Sequence, residues 1–234
     1  MSFYPIYLTR LHEQKVVLLG GNEEAERKTE ELLSFNANVH VISLTLTDRL
    51  SQLHQEGSIE WTAREYSYGD LEGAAFAIAA DYTPDIAQTV SGEAKDRNLL
   101  INVMDNIPLS NAAFGSVIRQ GKLTVSFSTN GLAPALAVRL KERFREELDD
   151  AYAEFLEIAG TLRDPVMQLI RDPELRKQKW YEWVDTDTLD LLRKGDRSAA
   201  LDATEAVWGH DVMNKAGLRI ETGIISRILK FLGL

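Results

Sequence analysis

A β-strand, a glycine turn, an α-helix and a second β-strand follow one another between Lys15 and Ser43. The first strand, 16–19, is a continuous apolar run, as in parallel strands that are covered on both faces. The turn offers Gly20, Asn22 and Ala25 at the three positions where a dinucleotide-binding unit uses small residues. This βαβ pattern predicts a Rossmann-like sheet and constrains the chain to an α/β fold.

The turn predicts a phosphate site but departs from the usual pattern at one position. Asn22 stands where the missing Cβ of a glycine normally lets the backbone approach a pyrophosphate. An acidic residue normally closes the second strand and binds a ribose, whereas here Ser43 stands there. Backbone N–H groups at the helix N-terminus favour phosphate, although Glu23 and Glu24 oppose that charge. A purely structural strand-to-helix turn remains the alternative.

Strands and helices continue to alternate up to about residue 105. Apolar or alternating runs predict strands over 39–42, 59–63, 75–79 and 99–103, with helices over 49–54 and 84–97. This order predicts a parallel sheet with right-handed crossovers.

The pattern changes after residue 113. Alternating segments at 114–118 and 123–128, around Gln120-Gly121, predict an antiparallel hairpin, and Pro134 opens a long charged helix. Helices then fill the remainder, with predicted breaks at Asp164-Pro165 and Asp172-Pro173. The predicted domains are 1–113, 114–148 and 149–234.

Composition favours some classes of function over others. A net charge of −10 argues against nucleic-acid binding, because neutralising phosphates requires a basic face. The chain has no cysteine, and its four histidines lack ligand-like spacing, so no metal site is predicted. No stretch approaches the roughly 20 apolar residues of a membrane span, and the N-terminus does not resemble a signal peptide. A cytoplasmic protein without a membrane anchor is expected.

Two further segments contain candidate functional residues. Asp105 follows the fifth strand at the carboxyl edge of the sheet, where open α/β folds bind ligands; a simple turn aspartate is the alternative. The loop 128–134 ends in a helix start within the one locally basic stretch of the chain, whose cations are Arg119, Lys122, Arg139, Lys141, Arg143 and Arg145. This stretch suits a ligand rich in carboxylates, or it is a solvated helix face.

Three motifs occur in a recognisable order. They are Gly-Gly-x-x-x-Ala-x-Arg-Lys at 20–28, Asn-Val-x-Asp at 102–105, and Ser-Thr-x-Gly-x-x-Pro-Ala-Leu-Ala at 128–137 followed by Arg139-Leu140. Together they resemble the precorrin-2 dehydrogenase family, the N-terminal module of siroheme synthase, which includes bifunctional dehydrogenase and ferrochelatase members. The resemblance extends from about residue 4 to 148, and more loosely to about 196.

This resemblance implies a homodimer that oxidises precorrin-2 to sirohydrochlorin with NAD, with 114–148 as a dimerisation hairpin and helix before an all-helical domain. It implies Asp105 as the residue that acts as general base or assists chelation. The implied NAD-binding residues are Gly20, Gly21, Asn22, Glu23, Ser43, Ala80 and Asp81. The implied substrate-binding residues are Asn102, Ser128, Thr129, Gly131, Arg119, Lys122 and Arg139.

Two alternatives stay open at this point. A divergent member without NAD binding would serve as a tetrapyrrole-binding scaffold, and a chelatase would insert a metal into sirohydrochlorin using Asp105 alone. A C-terminal methyltransferase domain is not expected. Trp180, Trp183 and Trp208 are predicted to be helix-packing residues, and a last helix is predicted to present Ile224, Ile225, Ile228, Leu229 and Leu232 on one face.

Overall fold

A computed structural model describes residues 3–219 of the protein. The chain divides into two compact units, Met1–Phe114 and Gly115–Leu234, here called the N-terminal and C-terminal units. The further division predicted at residue 148 stays a prediction. Within 3–219, no helix is long and apolar enough to cross a membrane.

The N-terminal unit contains a five-stranded parallel sheet with the strand order β3-β2-β1-β4-β5. Its strands are β1 (Lys15–Leu19), β2 (Asn38–Ser43), β3 (Glu60–Ala63), β4 (Ala74–Ala79) and β5 (Leu100–Val103). Its α-helices are α1 (Glu23–Ser34), α2 (Asp48–Gln55) and α3 (Pro84–Asp96), and short 3-10 helices span Leu11–Glu13 and Ile107–Leu109. The predicted Rossmann-like fold is confirmed.

Both faces of this sheet are covered. Val16 and Leu18 of β1 pack in one core cluster with residues of α1 and α2, whereas Val17 and Leu19 pack in a second cluster with residues of α3. All four side chains are at most 2% exposed. Two-sided burial explains why β1 is a continuous apolar run rather than an alternating one.

Short polar side chains define the ends of the helices. Asn22, Thr47 and Thr83 each accept a hydrogen bond from a backbone N–H in the first turn of α1, α2 and α3. Asn36, just past the end of α1, has φ +56°, a left-handed conformation that asparagine adopts at helix ends in place of glycine.

A buried carboxylate ties the β3–β4 connection to α3. Glu93 is fully buried, and its two oxygens accept hydrogen bonds from the Tyr66 hydroxyl, the Gly69 N–H at 2.8 Å, the Leu71 N–H at 3.2 Å and Arg97 Nε at 2.6 Å. These donors compensate the cost of burying a charge.

The C-terminal unit begins with an antiparallel hairpin, β6 (Ser116–Gln120) and β7 (Leu123–Phe127), followed by α4 (Pro134–Glu147). The hairpin and α4 are predicted correctly from the sequence. In the stretch 115–148, Ile118 and Ala137 are buried, while Leu132, Leu136 and Val138 are exposed.

Five further helices follow: α5 (Asp150–Leu169), α6 (Pro173–Val184), α7 (Thr188–Arg193), α8 (Arg197–Trp208) and α9 (His210–Lys215). Trp183 is fully buried, stacks on Phe155 at 4.2 Å between ring centroids, and donates from Nε1 to Thr204 at 3.0 Å. Trp180 and Trp208 lie edge-on beside it. The predicted packing role of the three tryptophans is confirmed.

One predicted helix break is wrong. Asp164-Pro165 does not end a helix, since α5 continues through it to Leu169. Proline removes one helical hydrogen bond, but Leu162, Pro165 and Val166 are all buried in the core, which offsets that loss. The break at Asp172-Pro173 is correct, with Asp172 as the N-cap of α6. The predicted last helix lies outside the described residues.

Candidate functional site

The carboxyl ends of β1 and β4 form the switch point of the sheet. The chain runs from β1 outward to β2 and β3, then returns to the other side of β1 with β4, and ligands of such folds bind where the strand order reverses. Leu19 O accepts the N–H groups of Ala80 at 2.9 Å and Asp81 at 3.2 Å. The predicted residues Gly20, Ala80 and Asp81 are therefore neighbours.

Both glycines of the turn are required by close approach. Gly20 has φ +121°, and a Cβ there would lie 2.8 Å from the backbone nitrogen of Asp81. A Cβ on Gly21 would lie 1.8 Å from the carbonyl oxygen of Thr45. Because neither residue has a side chain, the loops after β2 and β4 can approach the turn closely. Ala25, the third small residue, is fully buried where α1 packs on the sheet.

Asn22 is the N-cap of α1. Its side-chain oxygen accepts the Ala25 N–H at 3.0 Å, so the carboxamide folds onto its own helix. Helix geometry directs the N–H groups of Asn22, Glu23 and Glu24 outward from this end. These donors, together with the glycine turn, fit the phosphates of a dinucleotide.

Acidic side chains surround this helix end, but two of them have partners. Glu24 pairs with Arg27, and Glu26 accepts a hydrogen bond from the Thr47 hydroxyl at 2.5 Å. Glu23 is exposed at the first helical position. Pairing with Arg27 reduces the repulsion that Glu24 would exert on a bound phosphate.

Ser43 ends β2, at the place where an acid would bind the ribose. Its hydroxyl donates to Thr45 O at 2.8 Å, and Trp61 Nε1 donates to Ser43 O at 3.1 Å and to Ser43 Oγ at 3.2 Å. These bonds fix the position of Ser43 next to the loop that touches Gly21. The predicted contact of Ser43 with a ribose stays a prediction.

Asp105 lies at the same edge of the sheet, directly after β5. Met104 N donates to Ala79 O at 2.9 Å, which places this segment beside the end of β4. Asp105 is exposed and has φ +58°, an uncommon conformation that Asp tolerates better than most residues. The turn role is therefore observed, and the chemical role of Asp105 stays a prediction.

Tyr82 also belongs to this group, and sequence reasoning missed it. It follows Ala80 and Asp81, and its hydroxyl donates to Met104 O, the carbonyl preceding Asp105. Burial, and secondarily the Asp105 carboxylate, raise the pKa of the Tyr82 phenol. Its only signal in the sequence is that it follows a predicted buried strand.

Polar side chains fix the loop after β5. Asn102 Nδ2 donates to Ala112 O at 3.0 Å, and Ile101 N donates to Asn111 Oδ1 at 2.7 Å. Asn102 therefore holds the loop that follows Asp105, and its predicted contact with substrate stays a prediction.

The remaining predicted residues belong to the C-terminal unit. Thr129 Oγ1 accepts the Ala133 N–H at 3.1 Å, and Ser128 Oγ accepts the Asn130 N–H at 3.2 Å, just before α4. Gly131 has φ +75° within this turn. Arg119 and Lys122 lie at the hairpin tip, and Arg139 pairs with Glu142 on α4 at 2.8 Å.

Two family models match the chain. One, described as "Putative NAD(P)-binding", matches residues 7–116, and the other, the sirohaem synthase dimerisation region, matches residues 151–207. The first covers the Rossmann sheet and the loop after β5. The second covers most of the helical part of the C-terminal unit.

Proteins named siroheme synthase are similar to this chain. Siroheme synthase 1 of Pectobacterium atrosepticum is 32% identical over 180 residues, 77% of this chain and 37% of that protein. Siroheme synthase 1 of Cronobacter sakazakii is 30% identical over 224 residues, 93% of this chain and 47% of that protein. The chain thus spans less than half the length of these relatives. A solved structure, "SirC, precorrin-2 dehydrogenase", has the same fold, with a TM-score of 0.70 at 20% identity over 87% of this chain and 100% of that one.

Proposed function

Since the chain belongs to the family of precorrin-2 dehydrogenases and siroheme synthase N-terminal modules, we propose that it oxidises precorrin-2 to sirohydrochlorin with NAD. The observation that carries this proposal is that two functional features lie at the same edge of the sheet. A glycine turn with an open helix N-terminus follows β1, and Asp105 follows β5, with the end of β4 between them. One edge thus offers a phosphate site and a carboxylate.

The turn after β1 holds the pyrophosphate in this proposal. Gly20 and Gly21 allow the close approach, and the N–H groups at Asn22 and Glu23 bind phosphate oxygens. Ser43 serves the ribose, while Ala80 and Asp81 line the side toward β4. Bound NAD supplies the hydride acceptor.

Asp105 supplies the proton acceptor. Oxidation of precorrin-2 removes one hydride and one proton, and the exposed Asp105 carboxylate takes the proton. Asp105 has a left-handed backbone, with φ +58°, in the turn that follows β5.

Basic residues of the C-terminal unit bind the substrate carboxylates. Arg119, Lys122 and Arg139 offer charge-assisted hydrogen bonds to the eight carboxylates of the tetrapyrrole. The turn formed by Ser128, Thr129 and Gly131 precedes α4, whose N-terminus favours an anion. Asn102 completes the predicted substrate set.

The active form in this proposal is a homodimer. A two-stranded sheet is marginal on its own, and β6–β7 with α4 leaves Leu132, Leu136 and Val138 exposed. The match of residues 151–207 to a dimerisation region adds support for self-association. We place the enzyme in the cytoplasm, where its cofactor is available; the absence of nucleic-acid binding remains a prediction from net charge.

Calorimetric titration with NAD, followed by addition of precorrin-2 under anaerobic conditions, tests this function. The expected result is saturable NAD binding and the appearance of the sirohydrochlorin spectrum only when NAD is present. Tetrapyrrole binding without NAD binding would instead identify a scaffold. Metal insertion into sirohydrochlorin by a protein that neither binds NAD nor oxidises precorrin-2 would identify a chelatase, and either result would contradict the proposal.

A further inference from the structure

We infer that Tyr82 is a positioning residue for Asp105: its hydroxyl holds the Met104 carbonyl and thereby keeps Asp105 in the left-handed conformation that presents the carboxylate. This inference rests on the proposed function for its catalytic consequence. The structural part, the control of the backbone at Asp105 by Tyr82, stands on the hydrogen bonds alone.

The backbone around Asp105 forms a four-residue turn. Asn106 N donates to Val103 O at 3.0 Å, which closes the turn, so that Met104 and Asp105 are its two central residues. Asp105, the second of them, has φ +58°, and Met104 is not among the residues with positive φ. A positive φ at this position is the mark of a type II turn, which normally requires glycine or asparagine there.

The Met104–Asp105 peptide decides between two forms of such a turn. In a type I turn the second central residue has a negative φ, and rotation of the central peptide converts one form into the other. The carbonyl of that peptide is Met104 O, the atom to which the Tyr82 hydroxyl donates. Tyr82 therefore bonds the group whose orientation sets the sign of φ at Asp105.

The two ends of the turn are held by a different side chain. Ser110 Oγ accepts the Val103 N–H at 2.9 Å and lies 3.1 Å from Val103 O and 2.9 Å from Asn106 O. These contacts do not involve the central carbonyl. Loss of the Tyr82 hydroxyl would thus leave the turn closed while its central peptide becomes free to rotate.

The tyrosine ring is itself well placed for this role. Tyr82 is half-buried, and Ala77, Ala79 and Ile101 belong to the core cluster against which it packs. Tyr82→Phe keeps this packing and removes only the hydroxyl, so the variant is expected to fold. Without the hydroxyl, we expect the type I form to be favoured, because it avoids a positive φ at Asp105, which is costly for a residue other than glycine.

The first test needs no catalytic activity. NMR chemical shifts and the three-bond amide coupling report the sign of φ at Asp105 in the full-length protein and in Tyr82→Phe. We expect a positive φ in the unmodified protein and a mixed or negative φ in the variant. A matched control is Tyr68→Phe, which removes an exposed hydroxyl bonded to Asp96 in the same unit. A positive φ at Asp105 that persists in Tyr82→Phe would overturn the inference.

The second test measures catalysis. We expect Tyr82→Phe to lower kcat for precorrin-2 oxidation by roughly tenfold or more, with the Kd of NAD unchanged, because misplacing a reacting group affects turnover rather than cofactor binding. In an Asp105→Ala background the same substitution should have no further effect, since Tyr82 acts through Asp105. An unchanged kcat in Tyr82→Phe would contradict the catalytic role. An inactive unmodified protein would contradict the proposed function instead, and the φ measurement would still decide the structural part.

Discussion

Replacing Glu93 by glutamine should destabilise the N-terminal unit strongly. The carboxylate is fully buried and accepts four hydrogen bonds, two on each oxygen. Glutamine retains one acceptor oxygen and places an NH₂ group where the other stood. In one orientation of the amide the Gly69 N–H loses its acceptor, and in the other the Leu71 N–H loses it, so a backbone N–H is left unpaired in both.

The magnitude follows from the groups left without partners. A buried N–H without an acceptor costs about 1–3 kcal/mol, and loss of charge weakens the remaining bonds by about 1 kcal/mol more. We therefore expect the free energy of unfolding to fall by about 2–4 kcal/mol. Hydrogen exchange at the amides of β1 measures this free energy, because β1 is the central strand of the sheet and its amides exchange only when the unit unfolds. The exposed pair Glu24–Arg27 provides the control: Glu24→Gln should change stability by no more than about 0.5 kcal/mol.

The same residue predicts how stability depends on pH. Burial raises the pKa of the Glu93 carboxyl, but the Tyr66 hydroxyl, the Gly69 N–H and Arg97 outweigh it, and the pKa lies below its usual value. The stabilisation is therefore fully present above the unfolded pKa of about 4.3 and is lost as pH falls through the folded value. The difference between Glu93→Gln and the unmodified protein should shrink below about pH 4. If Glu93→Gln lowers the free energy of unfolding by less than about 1 kcal/mol at neutral pH, this reasoning is refuted.

Three other substitutions test the site and the assembly. Gly21→Ala would force a Cβ to 1.8 Å from Thr45 O, so calorimetry should show NAD affinity lowered more than about tenfold; Gly92→Ala, which has open space for its Cβ, should bind NAD normally. Asn22→Gly should leave the Kd of NAD within about threefold, because the asparagine folds onto its own helix and glycine costs only a few tenths of a kcal/mol as an N-cap; clearly tighter binding would show that the side chain obstructs the cofactor. Leu136→Asp should shift the protein toward monomer in sedimentation, since it places a charge on the exposed apolar face of α4, whereas Leu44→Asp in the N-terminal unit should not. If the protein with Leu136→Asp is still a dimer, the exposed face of α4 is not the dimer interface.

The parallel sheet could be predicted because its signals are local and mutually consistent. Buried parallel strands are continuous apolar runs, and the helices between them begin at short polar cap residues, such as Asn22 before α1 and Thr83 before α3. The helix break at Pro165 was predicted wrongly because local proline chemistry gives no measure of tertiary packing. Burial of the surrounding α5 residues keeps the helix continuous through Pro165.

The site was harder to predict than the fold. Sequence placed Asn22 in the path of a phosphate, but only the structure shows its carboxamide bonded to Ala25. Tyr82 could not be found at all, because its partner Met104 is 22 residues away and the contact is to a backbone oxygen. A turn at Asp105 could be predicted from its residue type, whereas its left-handed φ of +58° could not.

Single-turnover formation of NADH from precorrin-2, comparing the unmodified protein with Asp105→Asn, tests the central claim most directly. Asparagine tolerates the left-handed conformation, so the turn is retained while the proton acceptor is lost. We expect the rate to fall by about 10²–10⁴-fold with the Kd of NAD unchanged, whereas Asp85→Asn, an exposed acid in the first turn of α3, should react normally. A full rate in Asp105→Asn would show that Asp105 is not the base, and no NADH formation by the unmodified protein would contradict the dehydrogenase itself.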